Sequence, residues 1–296
     1  MTQDKSTGND AKGKQPETQI EKSPLNIFRA QLSSYENNVV QLLSDNGMNP
    51  DKFMIVVENS IRNIPKLLEC DRGSLFGCIL TSAEFGLEPN TPAQLSWIIP
   101  YYDKKAQKLF AQFQIGYHGI VNLLYRNDRI KKIHCEMVYE NDKFDRYMDN
   151  TMEWQFRFKP SEDGMRGMRK GVFAIIHLEN AEPLFQYMST QEIGEIQKLS
   201  KNPAMYGDAK DPQGWMWKKA VLKQVAKVAP KGGKNNSVSN ALNMDSMIEG
   251  GATVTLDDTG KVTVHKQKER NIEKDKLNIV FGSAEAQEAE VIDEQP

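Results

Sequence analysis

The spacing of apolar residues changes partway along this chain, and that change restricts the folds open to it. In KFMIVVENSIRNIPKLLE, residues Phe53, Val57, Ile61, Ile64 and Leu68 fall three or four apart, which sets them on one face of a helix. Further on, Leu109, Ala111, Phe113, Ile115 and Tyr117 alternate with Gln112, Gln114 and Gly116, the two-residue period of a strand with one wet face. A chain that runs through helical periods, then strand periods, then helices again folds as α+β rather than as an alternating parallel sheet.

The remaining punctuation fits that class. Pro65 is expected to kink or end the first helix, because it lacks an N–H and crowds the preceding turn. A second helix is expected from about Ser74 to Phe85, stopped by Gly86 with Pro89 beyond. QLSWIIPYY and LFAQFQIGY flank a turn at 103–108, and a helix follows over 117–127. Strands are expected at 130–140, 152–158, 171–178 and 184–188. Ser189 with Glu192 has capping-box spacing and should open a helix to Leu199, and a last long helix spans 214–229. The expected architecture is an antiparallel β-sheet core with packed helices, an N-terminal helical region and disordered termini. Its boundaries are a disordered tail over 1–24, a helical region over 25–92, a sheet-and-helix core over 93–235, and a flexible region with an acidic tail over 236–296. Within that last region, TVTLDDTGKVTVH suggests a short hairpin around residues 258–260.

No stretch approaches the roughly 18 apolar residues of a membrane-spanning helix, and the polar start lacks the apolar segment of a secretory signal. Cys70, Cys78 and Cys135 show no CxxC spacing, so they are expected to be small buried residues in a reducing cytoplasm. The net charge of −2 taken alone argues against a nucleic-acid binder. Its distribution argues otherwise. Between Lys198 and Lys234 nine lysines face only Asp208 and Asp211, whereas residues 277–296 carry five acidic residues and no basic one.

The helix WMWKKAVLKQVAKV lies inside the basic block. Trp217, Val221, Val225 and Val228 gather on one side while Lys219, Lys223 and Lys227 line the other, beside Lys218. Lysines four apart are about 6 Å apart along the axis, close to one nucleotide step, so the stripe can follow a phosphate backbone. Lysine-rich faces are usually just solvated. Here no Glu at i,i+4 compensates the stripe, which favours a polyanion. Other basic candidates are Arg126, Arg129, Lys131 and Lys132 at a helix end, where cations are favourable without any ligand. Arg166, Arg169 and Lys170 lie in a loop that reads as mobile, and Lys104 and Lys105 at a hairpin tip. Unpaired bases stack on aromatic rings; Tyr117 and Trp215 are stacking candidates, while Phe156 and Phe158 read as core.

No GxxxxGK[ST] motif occurs, the four histidines form no HExxH, and no nucleophile–base arrangement or catalytic residue stands out. Asp142, Asp145 and Asp149 could mark a nuclease cluster, but Asp is also common in turns. No cofactor or metal is expected.

Four stretches, in this order, resemble the RecT family of phage and prophage recombination proteins. They are SIRNIPKLLECDRGSLFGCILTSAEFGLEPN (60–90), WIIPYY through QIGYHGIVNLLYRNDRI (97–130), VYENDKFD (138–145) and MWKKAVLKQVAKVAP (216–230). FGLEP and QIGYHG are the most specific. The resemblance implies ATP-independent binding of single-stranded DNA and annealing of complementary strands, without enzymatic turnover. It implies assembly into rings or helical filaments, retention of the annealed duplex, and work beside a partner exonuclease and a host single-stranded-DNA-binding protein. By matching position, Lys218, Lys219 and Lys227 fall on basic positions of the family, as does Lys223, where arginine is usual. Ala220, Gln224 and His118 depart from the usual Thr, basic residue and Arg. The readings that compete with annealing are a passive coating protein and a metal-dependent nuclease.

Overall fold

The structure is a computed structural model, describing residues 23–44, 46–162, 164–200, 202–230, 237–257 and 261–265. Among the expectations above, the tail over 1–22, the acidic end over 277–296, the turn at 258–260, and Lys201, Lys231 and Lys234 lie outside the described residues.

Helices α1 (Pro24–Ser34), α2 (Glu36–Ser44) and α3 (Pro50–Asn63) come first. Asn49 caps α3 by accepting from the Lys52 N–H at 2.9 Å, and Phe53, Val57 and Ile61 are its buried face, as their spacing predicts. The helix stops at Ile64 because Pro65 cannot donate, and the chain continues as a 3-10 turn over Pro65–Glu69. Helix α4 (Arg72–Glu84) is capped by Asp71 and is buried from Ser74 through Ala83 on every side, which marks it as the central helix. Gly77 on α4 has the backbone of Thr255 so close that a Cβ would meet it at 3.0 Å.

Strands β1 (Ser96–Asp103) and β2 (Lys108–Ile115) form a hairpin whose turn is tied by the Asp103 carboxylate, accepting from the N–H groups of Lys105 and Ala106. Helix α5 (Tyr117–Tyr125) follows directly. Strand β3 (Ile130–Tyr139) then pairs with β6 (Arg169–Leu178), and β6 with β7 (Leu184–Ser189), an antiparallel sheet of order β3-β6-β7. Between β3 and β6, β4 (Lys143–Met148) and β5 (Trp154–Lys159) make a separate hairpin. Helix α6 (Thr190–Leu199) opens with the expected capping box on Ser189 and Glu192. After a 3-10 turn over Pro203–Tyr206 come α7 (Trp215–Val228), α8 (Ser237–Glu249) and a last hairpin of β8 (Thr253–Leu256) and β9 (Val262–His265).

The α+β class stands, with the strands divided among one three-stranded sheet and three two-stranded hairpins rather than gathered into a single sheet. Residues 143–148, within the aspartate-bearing stretch read as hairpin-like, form β4, the first strand of a hairpin. The expectation of a flexible region from 236 onward is corrected. Ala241, Leu242, Asp245 and Ile248 of α8 and Val254 of β8 are buried, and β8 packs against α4 through the gap left at Gly77. Phe28 and Leu32 of α1 belong to the same buried cluster as Val221 of α7 and Val254, so the N-terminal helices, the sheet and the C-terminal elements share one core.

The three-stranded sheet is covered on both faces. Val172, Ala174 and Ile176 meet that main core, in which α7 packs against β6. On the other face Val138, Phe173 and Ile175 are covered by Phe144, Phe156 and Phe158 of the β4–β5 hairpin, a small second core. Phe156 and Phe158 are thus packing residues, as expected.

Candidate nucleic-acid interface

The basic helix places its lysines in three different environments. Lys219 and Lys223 turn into the protein, 8% and 7% exposed, and face α8. Each lies within ion-pair distance of two carboxylates: Lys219 at 3.1 Å from both Asp245 and Glu249, Lys223 at 2.8 and 2.7 Å from the same two. Asp245 is 1% exposed and also accepts from the Ile115 N–H of β2. Burial disfavours the charge on Lys219, but Asp245 and Glu249 outweigh it and hold its pKa above the ordinary lysine value. Asp245, for which burial works in the opposite direction, is held well below the carboxylate range by the two lysines and by the Ile115 hydrogen bond.

The expected open stripe of Lys219, Lys223 and Lys227 is therefore corrected: its first two members are neutralised by α8. Helical geometry explains the split. A four-residue step advances about 400° and drifts about 40° around the axis, so Lys227 lies about 80° from Lys219. Lys227 is exposed, and partial burial of its ammonium together with nearby Lys223 lowers its pKa. The compensating acids stand 22 to 30 residues away in the chain, beyond any i,i+4 comparison. The signal was nevertheless present: Asp245 and Glu249 are themselves four apart, alongside buried Leu242 and Ile248.

Where α7 begins, the expected aromatic candidates meet. The Trp215 ring lies 5.2 Å from Tyr117 and 5.1 Å from His118, centroid to centroid, and the Lys218 ammonium sits 5.0 Å over the Trp215 ring. All four side chains are partly buried. Trp215 and Lys218, three apart, share one face of α7; Tyr117 and His118 open α5. Gly116 and Gly119 let the 94–95 segment pass so near α5 that a Cβ at either would collide with the carbonyl of Gln94 or Leu95. That close approach explains glycine at both positions of QIGYHG. Burial pushes the Tyr117 hydroxyl upward and the neighbouring Cys135 thiol up to about 12. The α7 N-terminus itself is closed by the Asp211 carboxylate, which accepts from the N–H groups of Trp215 and Met216 at 2.8 Å. The cluster offers aromatic faces and one cation on a rigid base, a combination suited to an unpaired base with its phosphate.

Three arginines expected at the interface are occupied inside the subunit. Arg126 donates to the carbonyls of Phe85 and Gly86 at 2.8 and 2.9 Å and to Asn46 and Asn122, so its guanidinium closes the C-terminal end of α4 although the residue is exposed. Arg166 pairs with Asp142, reaches the Met137 carbonyl and covers the Tyr139 ring, so the loop read as mobile is tied down. Arg169, its side chain 6% exposed, pairs with Asp208, donates to the Tyr206 and Asp211 carbonyls and lies over Trp217. Lys104, Lys105, Arg129 and Lys170 are exposed; Lys131 is exposed too, 3.7 Å from Glu179. These cations do not converge. Lys105 is separated from Tyr117 by the length of β2, about 25 Å, and Arg129 and Lys170 stand at opposite ends of the β3–β6 pair.

Of the carboxylates read as a possible nuclease cluster, Asp142 serves Arg166 and Asp149 holds the β4–β5 turn through Thr151 and Glu153. Among the described residues no group of three His, Cys, Asp or Glu side chains is placed to hold a metal ion, and no helix is long and apolar enough to cross a membrane. The three cysteines are buried, and burial pushes Cys70 up to about 11.

Comparison with known proteins adds two findings. The RecT family profile matches residues 51–252. Protein RecT of Escherichia coli (strain K12) is 26% identical over 156 residues, 52% of this chain and 57% of that protein, so the match spans less than two thirds of the relative's length.

Proposed function

Because the chain belongs to the RecT family, we propose that it binds single-stranded DNA as a homo-oligomer and anneals complementary strands without ATP. The observation that carries the site assignment is the Tyr117–His118–Trp215 ring cluster with Lys218 above it. A base stacks on the open parts of these rings while Lys218 meets a neighbouring phosphate. The exposed Lys104, Lys105, Arg129, Lys131, Lys170 and Lys227 serve the backbone elsewhere along its path. Since these cations stand at separate ends of the subunit, one short segment of DNA cannot reach them all. A strand crossing successive subunits of a ring or filament can meet some from each. Annealing then requires that the assembly hold the duplex more tightly than either strand, because only differential affinity shifts the equilibrium.

Binding should weaken steeply with salt through counterion release. Trp215→Ala should weaken binding of an oligothymidylate by about 5- to 150-fold, the worth of roughly 1–3 kcal/mol of stacking. Its salt slope should stay unchanged, whereas Lys218→Ala should reduce that slope by about 0.7. The function itself is tested by timing duplex formation from two complementary oligonucleotides in buffer free of ATP. Binding without acceleration would mark a passive coating protein, and shortened products in magnesium a nuclease.

A further inference from the structure

We propose that copies of this chain assemble end to end, the tip of the β4–β5 hairpin of one docking against the base of the same hairpin on the next; this rests on the homo-oligomer of the proposed function and supplies its contact.

The tip is built to stay rigid. The Asp149 carboxylate accepts from the N–H groups of Thr151 and Glu153 at 2.9 and 3.0 Å, from the Thr151 hydroxyl and from the Gln155 amide. Within that turn Met152 adopts φ +63°, a left-handed conformation that strains any residue bearing a side chain. Its side chain is 74% exposed, so packing within the subunit does not offset the strain. Tyr147 beside it on the outer face is exposed as well. The other end of the hairpin lies roughly 17 Å away along β4. There Met165 and Met168 are 79% and 70% exposed, on a loop that Arg166 fastens to Asp142 and that the Asn141 amide ties through the Met165 carbonyl. Both ends thus present large apolar groups on pre-organised backbone, which lowers the ordering cost of docking, and methionine adapts to the shape it meets.

The charges identify the occupant. Over residues 143–162 four cations meet four carboxylates, so the hairpin has no surplus with which to draw a polyanion. The signs are nevertheless segregated along it. Lys143 and Arg157 stand exposed in the base half with no carboxylate in ion-pair distance among the described residues, and Lys143 faces Lys159 directly across the strands. Asp149 and Glu153 close the tip, the Asp149 N–H donating to the Glu153 carbonyl, and neither carboxylate has a cation partner among the described residues. Within one subunit the two sets are too far apart to meet. Across two copies they are complementary: a tip with unpaired carboxylates and apolar groups fits a base with unpaired cations and apolar groups. Because the two patches differ and lie at opposite ends, the contact is head to tail and repeats from copy to copy, building a ring or a filament.

Sedimentation velocity of the full chain, alone and with an oligothymidylate, reads the assembly. Glu153→Lys and Lys143→Glu should each raise the concentration at which assemblies half-dissociate at least about fivefold. Each also removes a like charge beside another on its own hairpin, so the melting temperature should hold or rise, which separates lost docking from lost folding. Lys143→Glu combined with Glu153→Lys exchanges the signs of both surfaces and should restore assembly to within about twofold of wild type. Contact within one subunit cannot supply that recovery, because the two residues stand at opposite ends of the hairpin. Met152→Gly relieves the backbone strain, so it should weaken assembly while leaving the melting temperature unchanged or higher. A wild-type chain that stays monomeric under both conditions would overturn the proposal, as would a double variant whose losses add. Normal assembly of either single variant would overturn it too, and would leave the tip to a different protein partner. Strand annealing is timed separately: assemblies that form by this contact without annealing would defeat the DNA reading and leave the contact standing.

Discussion

Replacing Asp245 by asparagine removes the charge that two buried lysines share while keeping the side chain's shape and an acceptor for the Ile115 N–H. Lys219 and Lys223 would then depend on Glu249 alone, and its side chain is 42% exposed. Removing one partner of a buried pair costs about 3–5 kcal/mol, because the surviving charge stays desolvated. Glu249 retains part of the attraction, which places the expected loss near the lower end, about 3 kcal/mol. With a urea m-value of roughly 2–3 kcal/mol/M, the unfolding midpoint should fall by about 1–1.5 M at unchanged slope. Fluorescence of Trp217, buried on the same helix, provides the readout. The double variant Lys219→Met with Asp245→Asn leaves one lysine facing one carboxylate. It should be destabilised less than the sum of the two single changes by at least about 1 kcal/mol. An Asp245→Asn loss below about 1 kcal/mol, or strict additivity in the cycle, would refute the reasoning that these groups form one mutually dependent buried network.

Charge reversal of Lys219 and Lys223 to glutamate would place four carboxylates together in the same buried space. The expected outcome is loss of α8 docking, visible as early proteolysis within α8, rather than a folded protein deficient only in DNA binding. Acid should destabilise the fold. Asp245 has its pKa depressed in the folded state, so its contribution is complete above the unfolded carboxylate value of about 4 and is lost as pH falls below it. The acid limb of a stability–pH profile should therefore be shallower in Asp245→Asn than in the wild type. Arg126→Ala should lower the melting temperature, since four acceptors around the end of α4 lose their donor. Its affinity for single strands should stay within twofold of wild type in a filter-binding titration; a large drop would return Arg126 to the DNA interface.

What could be read from the sequence was whatever the local period and punctuation determine. The spacing of Phe53, Val57 and Ile61, the Ser189–Glu192 box and the alternation over 109–115 all lead to the elements they predict. The pairing of Tyr117 with Trp215 was legible as two candidates, though not as one contact, because nearly a hundred residues separate them in the chain. What escaped was decided by distant partners. Lys219 and Lys223 look like any solvated stripe until Asp245 and Glu249 are placed beside them. Likewise, Arg126 and Arg169 read as free cations because the carbonyls they serve belong to other elements. Helix α8 was passed over because its apolar residues are interspersed with Asn, Ser and Met. It is held as much by the lysines beneath it as by its own amphipathicity.

The ion network between α7 and α8 also orders events on the ribosome. Helix α7 leaves the exit tunnel before α8, so for an interval Lys219 and Lys223 have no carboxylates to meet and remain hydrated on a nascent chain. The unfinished polypeptide therefore displays a longer basic ridge than the completed one, and the core can close only after residue 249 has emerged. A premature stop or a nick just beyond α7 would yield a fragment with two orphaned ammonium groups beside bare apolar surface. Such a fragment would cling to nucleic acid indiscriminately and be a target for degradation.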